Sequence, residues 1–125
     1  MKNPVNDLRS QQERRSHPRL EKDIPLKLRF GEFDIVTKTK NISCAGVYCS
    51  VDRYLEPLTK LKILLLLPLS KEKKVITKKV QCNGVVVRAE GPFPNPHHYD
   101  IAIFFNDIEK KESKKIADFV NCGAR

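Results

Sequence analysis

The sequence predicts a mainly β domain, preceded by a polar arm and followed by one helix. Three observations carry this. Apolar and polar residues alternate in successive short runs between Ile24 and Phe105, turn residues separate the runs, and helical spacing begins only beyond Asn106. Strands that recur without intervening helices build antiparallel barrels or sandwiches, and a terminal helix covers an open edge or end.

The arm spans residues 1–23 and carries Arg9, Arg14, Arg15 and Arg19 among few apolar side chains. Pro18 disfavours helix at His17, so the segment reads as bent and extended, and mobile when it has nothing to bind. The body spans residues 24–122. Ile24, Leu26, Leu28 and Phe30 alternate with Pro25, Lys27 and Arg29; Gly31-Glu32 breaks the pattern and Phe33 to Lys40 resumes it, which predicts a hairpin. A polar turn, Asn41 to Gly46, leads into Val47–Val51. Leu61 to Leu67 is apolar at nearly every position, predicting a strand with both faces buried that ends at Pro68. Val75 to Arg88 reads as one long bent strand or two short ones, with a bulge at Gly84. Gly91 to His98 holds Pro92, Pro94 and Pro96 and is a loop. Tyr99, Ile101, Ile103 and Phe105 alternate once more. Ile108, Ile116, Phe119 and Val120 then share one helical face, interrupted by Glu112. Asn106 is the expected N-cap, Glu109 follows three residues later, and Gly123 stands where the helix stops. Lys110, Lys111, Lys114 and Lys115 form its expected outer face.

A chain of 125 residues fits one domain. Its 24 Lys+Arg against 15 Asp+Glu leave a net charge of +9, which favours anionic partners: nucleotides, nucleic acid, acidic proteins or lipid headgroups. The four cysteines, Cys44, Cys49, Cys82 and Cys122, form no C-x-x-C pair and match no zinc spacing. No apolar leader opens the chain, and the longest apolar run is too short to span a bilayer. These features predict a cytoplasmic protein with free thiols and no membrane insertion. In that compartment the glycosylation pattern Asn41-Ile42-Ser43 is without effect. Catalysis has no support, because no G-x-S-x-G, H-E-x-x-H or Walker pattern occurs. His97 and His98 are adjacent and diverge in an extended segment, so they read as a loop rather than a metal site.

Two short patterns carry chemistry. In Glu13-Arg14-Arg15-Ser16-His17-Pro18-Arg19, three guanidinium groups lie within six residues on a bent segment. Guanidinium forks match phosphate oxygens and the O6/N7 edge of guanine, and they stack on flat bases, so the cluster suits a ligand with both phosphate and purine. In Asn41-Ile42-Ser43-Cys44-Ala45-Gly46, Asn41 both donates and accepts, Ser43 adds a hydroxyl on the same side of an extended backbone, and Gly46 allows close approach. Each pattern has a plainer reading beside it: a solvated basic arm for the first, an ordinary turn for the second.

Taken together, Arg15-x-x-x-Arg19 and Asn41-x-Ser43-x-x-Gly46 resemble the paired signature of the PilZ family, R-x-x-x-R followed by D/N-x-S-x-x-G after the second strand. Arg14 and Pro18 also look like the family's common form. The resemblance covers roughly Glu13 to Cys122. It implies a six-stranded antiparallel barrel with a C-terminal helix, and a bacterial receptor for cyclic di-GMP that needs no cofactor. Arg15 and Arg19 would grip guanine and phosphate, Arg14 would add phosphate or stacking contacts, Asn41 and Ser43 would face the ligand, and Gly46 would give it room. Ligand would order the arm over the barrel and signal to a partner protein in trans. Two positions depart from the common pattern: Asn41 supplies no carboxylate to a guanine N–H pair, and Ala102 stands where the family often has glycine. The competing readings are a PilZ-like adaptor without nucleotide and a basic nucleic-acid-binding module. Against the latter, the chain lacks Trp and shows no dense interleaving of aromatic and basic residues.

Overall fold

The computed structural model describes residues 19–123. In chain order the elements are β1 (Pro25–Phe30), β2 (Phe33–Ile42), β3 (Gly46–Val51), β4 (Lys60–Lys71), β5 (Lys74–Glu90), β6 (Tyr99–Asp107) and α1 (Lys110–Gly123). The strands are antiparallel in the order β1-β2-β3-β6-β5-β4, and β1 also pairs with β4, so the sheet closes on itself as a barrel.

The alternation seen in the sequence fills the interior. Leu26 and Leu28 of β1, Val47 and Cys49 of β3, Leu65 of β4, Val86 of β5 and Ile101 and Ile103 of β6 are all buried. The side chains between them along β1 and β3 are exposed or half-buried. At Gly84 the β5–β6 register shifts, as the lone glycine predicted. A Cβ there would come within 2.8 Å of Ile103 Cγ2, so glycine is what lets β5 bend into the core.

Two expectations for β4 fail. Leu61, Ile63, Leu65 and Leu67 are buried, but Leu64 and Leu66 are only half-buried, so one face is inside rather than both. Nor does Pro68 end the strand: β4 continues to Lys71, with Pro68 opposite Thr77. β1 stops pairing at Leu65, and beyond it β4 has a free edge where a residue without N–H costs no ladder bond.

The helix also differs at its start. Asn106 lies inside β6 and does not cap it. Instead Glu109 takes the cap position, its carbonyl accepting from Ser113 N–H at 2.9 Å. Ile116, Phe119 and Val120 are buried as their spacing predicts. Glu112, the apparent interruption of the apolar stripe, is buried too. Its Oε1 accepts from the Gln81 N–H at 2.7 Å and its Oε2 pairs with Lys115 at 2.8 Å, while Lys115 Nζ donates to the Lys79 carbonyl at 3.0 Å. In this stretch β5 has left β6, which pairs with it only from Asn83 onward. The helix therefore covers that strand edge with side-chain partners for its backbone groups. Lys110, Lys111 and Lys114 are exposed, whereas Lys115 is turned to this task.

The segment before β1 is strapped to β2. Leu20 and Ile42 exchange backbone hydrogen bonds of 2.8 and 3.0 Å. Further along, the buried Thr39 hydroxyl accepts from Ile24 N–H at 3.0 Å and donates to the Lys22 carbonyl at 2.6 Å. Among the described residues no helix is long and apolar enough to cross a membrane.

Candidate functional site

The β2–β3 turn is built by its own side chains. Ser43 N–H donates to the Gly46 carbonyl at 2.9 Å, and Ser43 Oγ accepts from Ala45 N–H at 3.1 Å. Ser43 is only 5% exposed, so its hydroxyl holds the turn rather than standing on the surface. Gly46 starts β3 opposite Phe104, and a Cβ on it would run into the carbonyl of Ile103. Its glycine character is thus demanded by the close approach of β6. These bonds close the turn next to the strand end that carries Asn41.

Asn41 and Arg19 join the two sequence patterns. Arg19 Nη1 donates to Asn41 Oδ1 at 3.1 Å across a separation of 22 residues. The neighbouring Leu20–Ile42 bridge brings the guanidinium to that place. Arg14 and Arg15 lie outside the described residues.

Asn41 also opens a row across four strands. It is paired with Tyr48, Tyr48 with Ala102, and Ala102 with Arg88. Inward residues flank this row on β3 and β6, namely Val47, Cys49, Ile101 and Ile103, so the row lies on the outer face. The β2–β3 register shifts between Thr39 and Asn41, and the extra residue is Lys40. Lys40 Nζ lies 5.7 Å from the centre of the Tyr48 ring, and Arg88 Cζ lies 6.0 Å from it. One aromatic ring therefore carries two cations, with Arg19 beside Asn41 at the end of the row.

Asp100 and its cross-strand partner Glu90 are the acids on this face, and among the described residues Asp100 is the one that is bonded. Its Oδ1 receives Lys40 Nζ at 3.0 Å, Ser50 Oγ at 2.6 Å and His98 Nε2 at 3.1 Å. Burial pushes its carboxyl up, but the Ser50, Lys40 and His98 contacts outweigh that and leave it below the usual range. His98 is half-buried through this contact, whereas His97 is exposed in the loop. Ser50, His98 and Asp100 do not form a relay. Ser50 Oγ and Asp100 Oδ1 both face the same imidazole nitrogen, at 3.3 and 3.1 Å, and the serine hydroxyl bonds the carboxylate directly. The cluster anchors Lys40.

Three of the four thiols, those of Cys44, Cys49 and Cys82, are quiet. Burial raises Cys44, and it pushes Cys49 and Cys82 up to about 12, so all three remain protonated at neutral pH. A cleft of about 520 Å³ lies away from this face, between Lys27, Arg29, Asp34, Lys62, Asp107 and Glu109, and no described residue of either motif lines it. Its cations and acids balance. Among the described residues no three His, Cys, Asp or Glu side chains are grouped to hold a metal ion.

Sequence reasoning located Arg19 and Asn41 and missed Tyr48, Lys40 and Arg88. Only strand register brings Arg88 beside Tyr48, and only a bulge brings Lys40 there. The threonine-and-lysine run before Asn41 was the one local signal of a strand edge rich in cations.

Comparison with known proteins agrees with the fold. The PilZ domain pattern matches residues 13–121. Among solved structures, the inhibitor of motility MotI/DgrA of Bacillus subtilis superposes with a TM-score of 0.74 at 17% identity, over 87% of this chain and 50% of that one. The present chain thus spans about half the length of that protein. The PilZ domain with c-di-GMP of YcgR from Escherichia coli superposes with a TM-score of 0.57 at 10% identity, over 90% of this chain and 92% of that one. No curated protein matches significantly. With the family pattern covering most of its length, the chain belongs to the PilZ domain family.

Proposed function

We propose that the protein is a receptor for cyclic di-GMP that binds the ligand on the outer β2–β3–β6–β5 face and then engages a partner protein in trans. The observation that carries this reading is the Arg19–Asn41 hydrogen bond, which joins the arginine motif to the N-x-S-x-x-G motif at the edge of a cationic sheet face. Arg19 supplies a guanidinium to phosphate or guanine, and Arg14 and Arg15 extend the same grip from the residues before it. Asn41 presents its amide to the ligand. Ser43 and Gly46 serve by shaping the turn that holds Asn41, not by touching the ligand. The PilZ domain of YcgR was solved with this same nucleotide, which supports the reading.

Calorimetric titration with cyclic di-GMP, GTP and a short single-stranded oligonucleotide, at near-physiological salt, tests the reading. Micromolar or tighter binding to cyclic di-GMP alone is expected. Heat with the oligonucleotide only would move the assignment to a nucleic-acid-binding module, and no heat with any of the three would move it to an adaptor without nucleotide.

A further inference from the structure

We infer that Tyr48 and Arg88 form a stacking seat for one purine base of the ligand, on the sheet face beside Asn41. The inference rests on the cyclic di-GMP reading and adds residues outside both sequence motifs.

Four observations converge on this pair. Tyr48 is the cross-strand partner of Asn41, so a ligand held at Asn41 lies against the ring. Ala102, between Tyr48 and Arg88, carries only a methyl group and leaves the strip between them low. Arg88 is exposed, its guanidinium 6.0 Å from the ring centre, and it forms no ion pair among the described residues. Lys40, the other cation over the ring, is held by Asp100, which Ser50 and His98 hold in turn.

These two cations therefore differ in what they can do. Lys40 is neutralised and anchored, and it stays at the edge of the seat. Arg88 is free to lift from the ring and close over a flat group placed there. Aromatic rings and guanidinium planes both stack on bases, and a base between them keeps both contacts. A purine has the larger face, and Arg19, on the other side of Asn41, lies where an adjoining phosphate would sit.

The protein has three Tyr and no Trp, so its intrinsic emission comes from tyrosine and a base on Tyr48 is visible as quenching. Cyclic di-GMP is titrated into wild type and into Tyr48→Phe, Tyr48→Leu, Arg88→Ala and Arg88→Lys, with emission and calorimetry read together. The expected results are quenching in wild type and, in Tyr48→Phe, near-normal affinity with most of the quenching gone. Tyr48→Leu and Arg88→Ala weaken binding by about fivefold or more. Arg88→Lys stays weakened, because a point charge does not replace a stacking plane. Wild-type binding that Tyr48→Leu and Arg88→Ala leave within about twofold overturns the seat while the receptor reading stands. Absence of wild-type binding overturns both.

Discussion

Arg19 Nη1 and Asn41 Oδ1 lie 3.1 Å apart, and this contact holds the end of the arginine motif against the first residue of the second motif. Neither side chain is positioned by the other alone. Arg19 is brought there by the backbone pairing of Leu20 with Ile42, and Asn41 by a bulge at Lys40 and a turn closed by Ser43. The contact is exposed and contributes little to stability, so its meaning is positional.

The strap that delivers Arg19 depends on Thr39. Its buried hydroxyl serves Ile24 N–H and the Lys22 carbonyl together. Thr39→Val keeps the shape and strands both groups, and it is expected to cost about 1–3 kcal/mol in urea unfolding. Thr39→Ser keeps the hydroxyl and loses one methyl, costing no more than about 1 kcal/mol. If valine and serine are equivalent, the hydroxyl is not what holds the strap.

Glu112 makes the helix–strand contact sensitive to acid. The Lys115 partner lowers its carboxyl, burial opposes, and the Gln81 N–H lowers it further, so the net shift is downward. A carboxyl lowered in the folded state contributes stability that is full above its unfolded pKa, ~4.3. That stability is lost as pH falls through the lower folded value. Glu112→Gln is expected to cost about 1–3 kcal/mol at neutral pH, with the gap to wild type closing in strong acid. Denaturant unfolding across that range measures it, and a gap that stays constant with pH contradicts the assignment.

Gly46 and Gly31 separate two reasons for glycine. A Cβ at Gly46 meets the backbone of Ile103, which cannot swing aside, whereas Gly31 has open space and a φ of +60°. Gly46→Ala is expected to cost at least about 2 kcal/mol. Gly31→Ala should cost about 1 kcal/mol, from the left-handed backbone alone. Equal costs would mean that β3 and β6 tolerate separation at this point.

The strands were legible where each buries one face, and period two survives wherever that holds, as from Ile24 to Leu28 and from Tyr99 to Phe105, whereas Phe30 continues the alternation in sequence but is exposed. Gly84 was legible as a bulge for the same reason: it interrupts a pattern that resumes after it. Pro68 and Asn106 misled because local preference alone does not decide either. Whether proline is tolerated depends on which strand edge is free, and whether Asn106 caps a helix depends on where β6 stops pairing. Glu112 looks like a flaw in an apolar stripe until a strand with unpaired backbone lies beside it. In the candidate site, Arg19 and Asn41 were legible as motif residues. The motif has Ser43 facing the ligand and Gly46 admitting it; the structure places Ser43 within the turn and Gly46 against β6. Tyr48 and Arg88 carry no local signature, because forty residues and two strand pairings separate them in the chain.

The measurement that tests the account most directly is a double-substitution cycle on the motif contact, read by calorimetry with cyclic di-GMP. Wild type, Arg19→Ala, Asn41→Ala and the pair are titrated together. The account predicts that each single change weakens binding by about tenfold or more. It also predicts that the pair weakens binding by less than the product of the two, since they act as one unit. Wild type without binding, or single variants within about twofold of wild type, would contradict it.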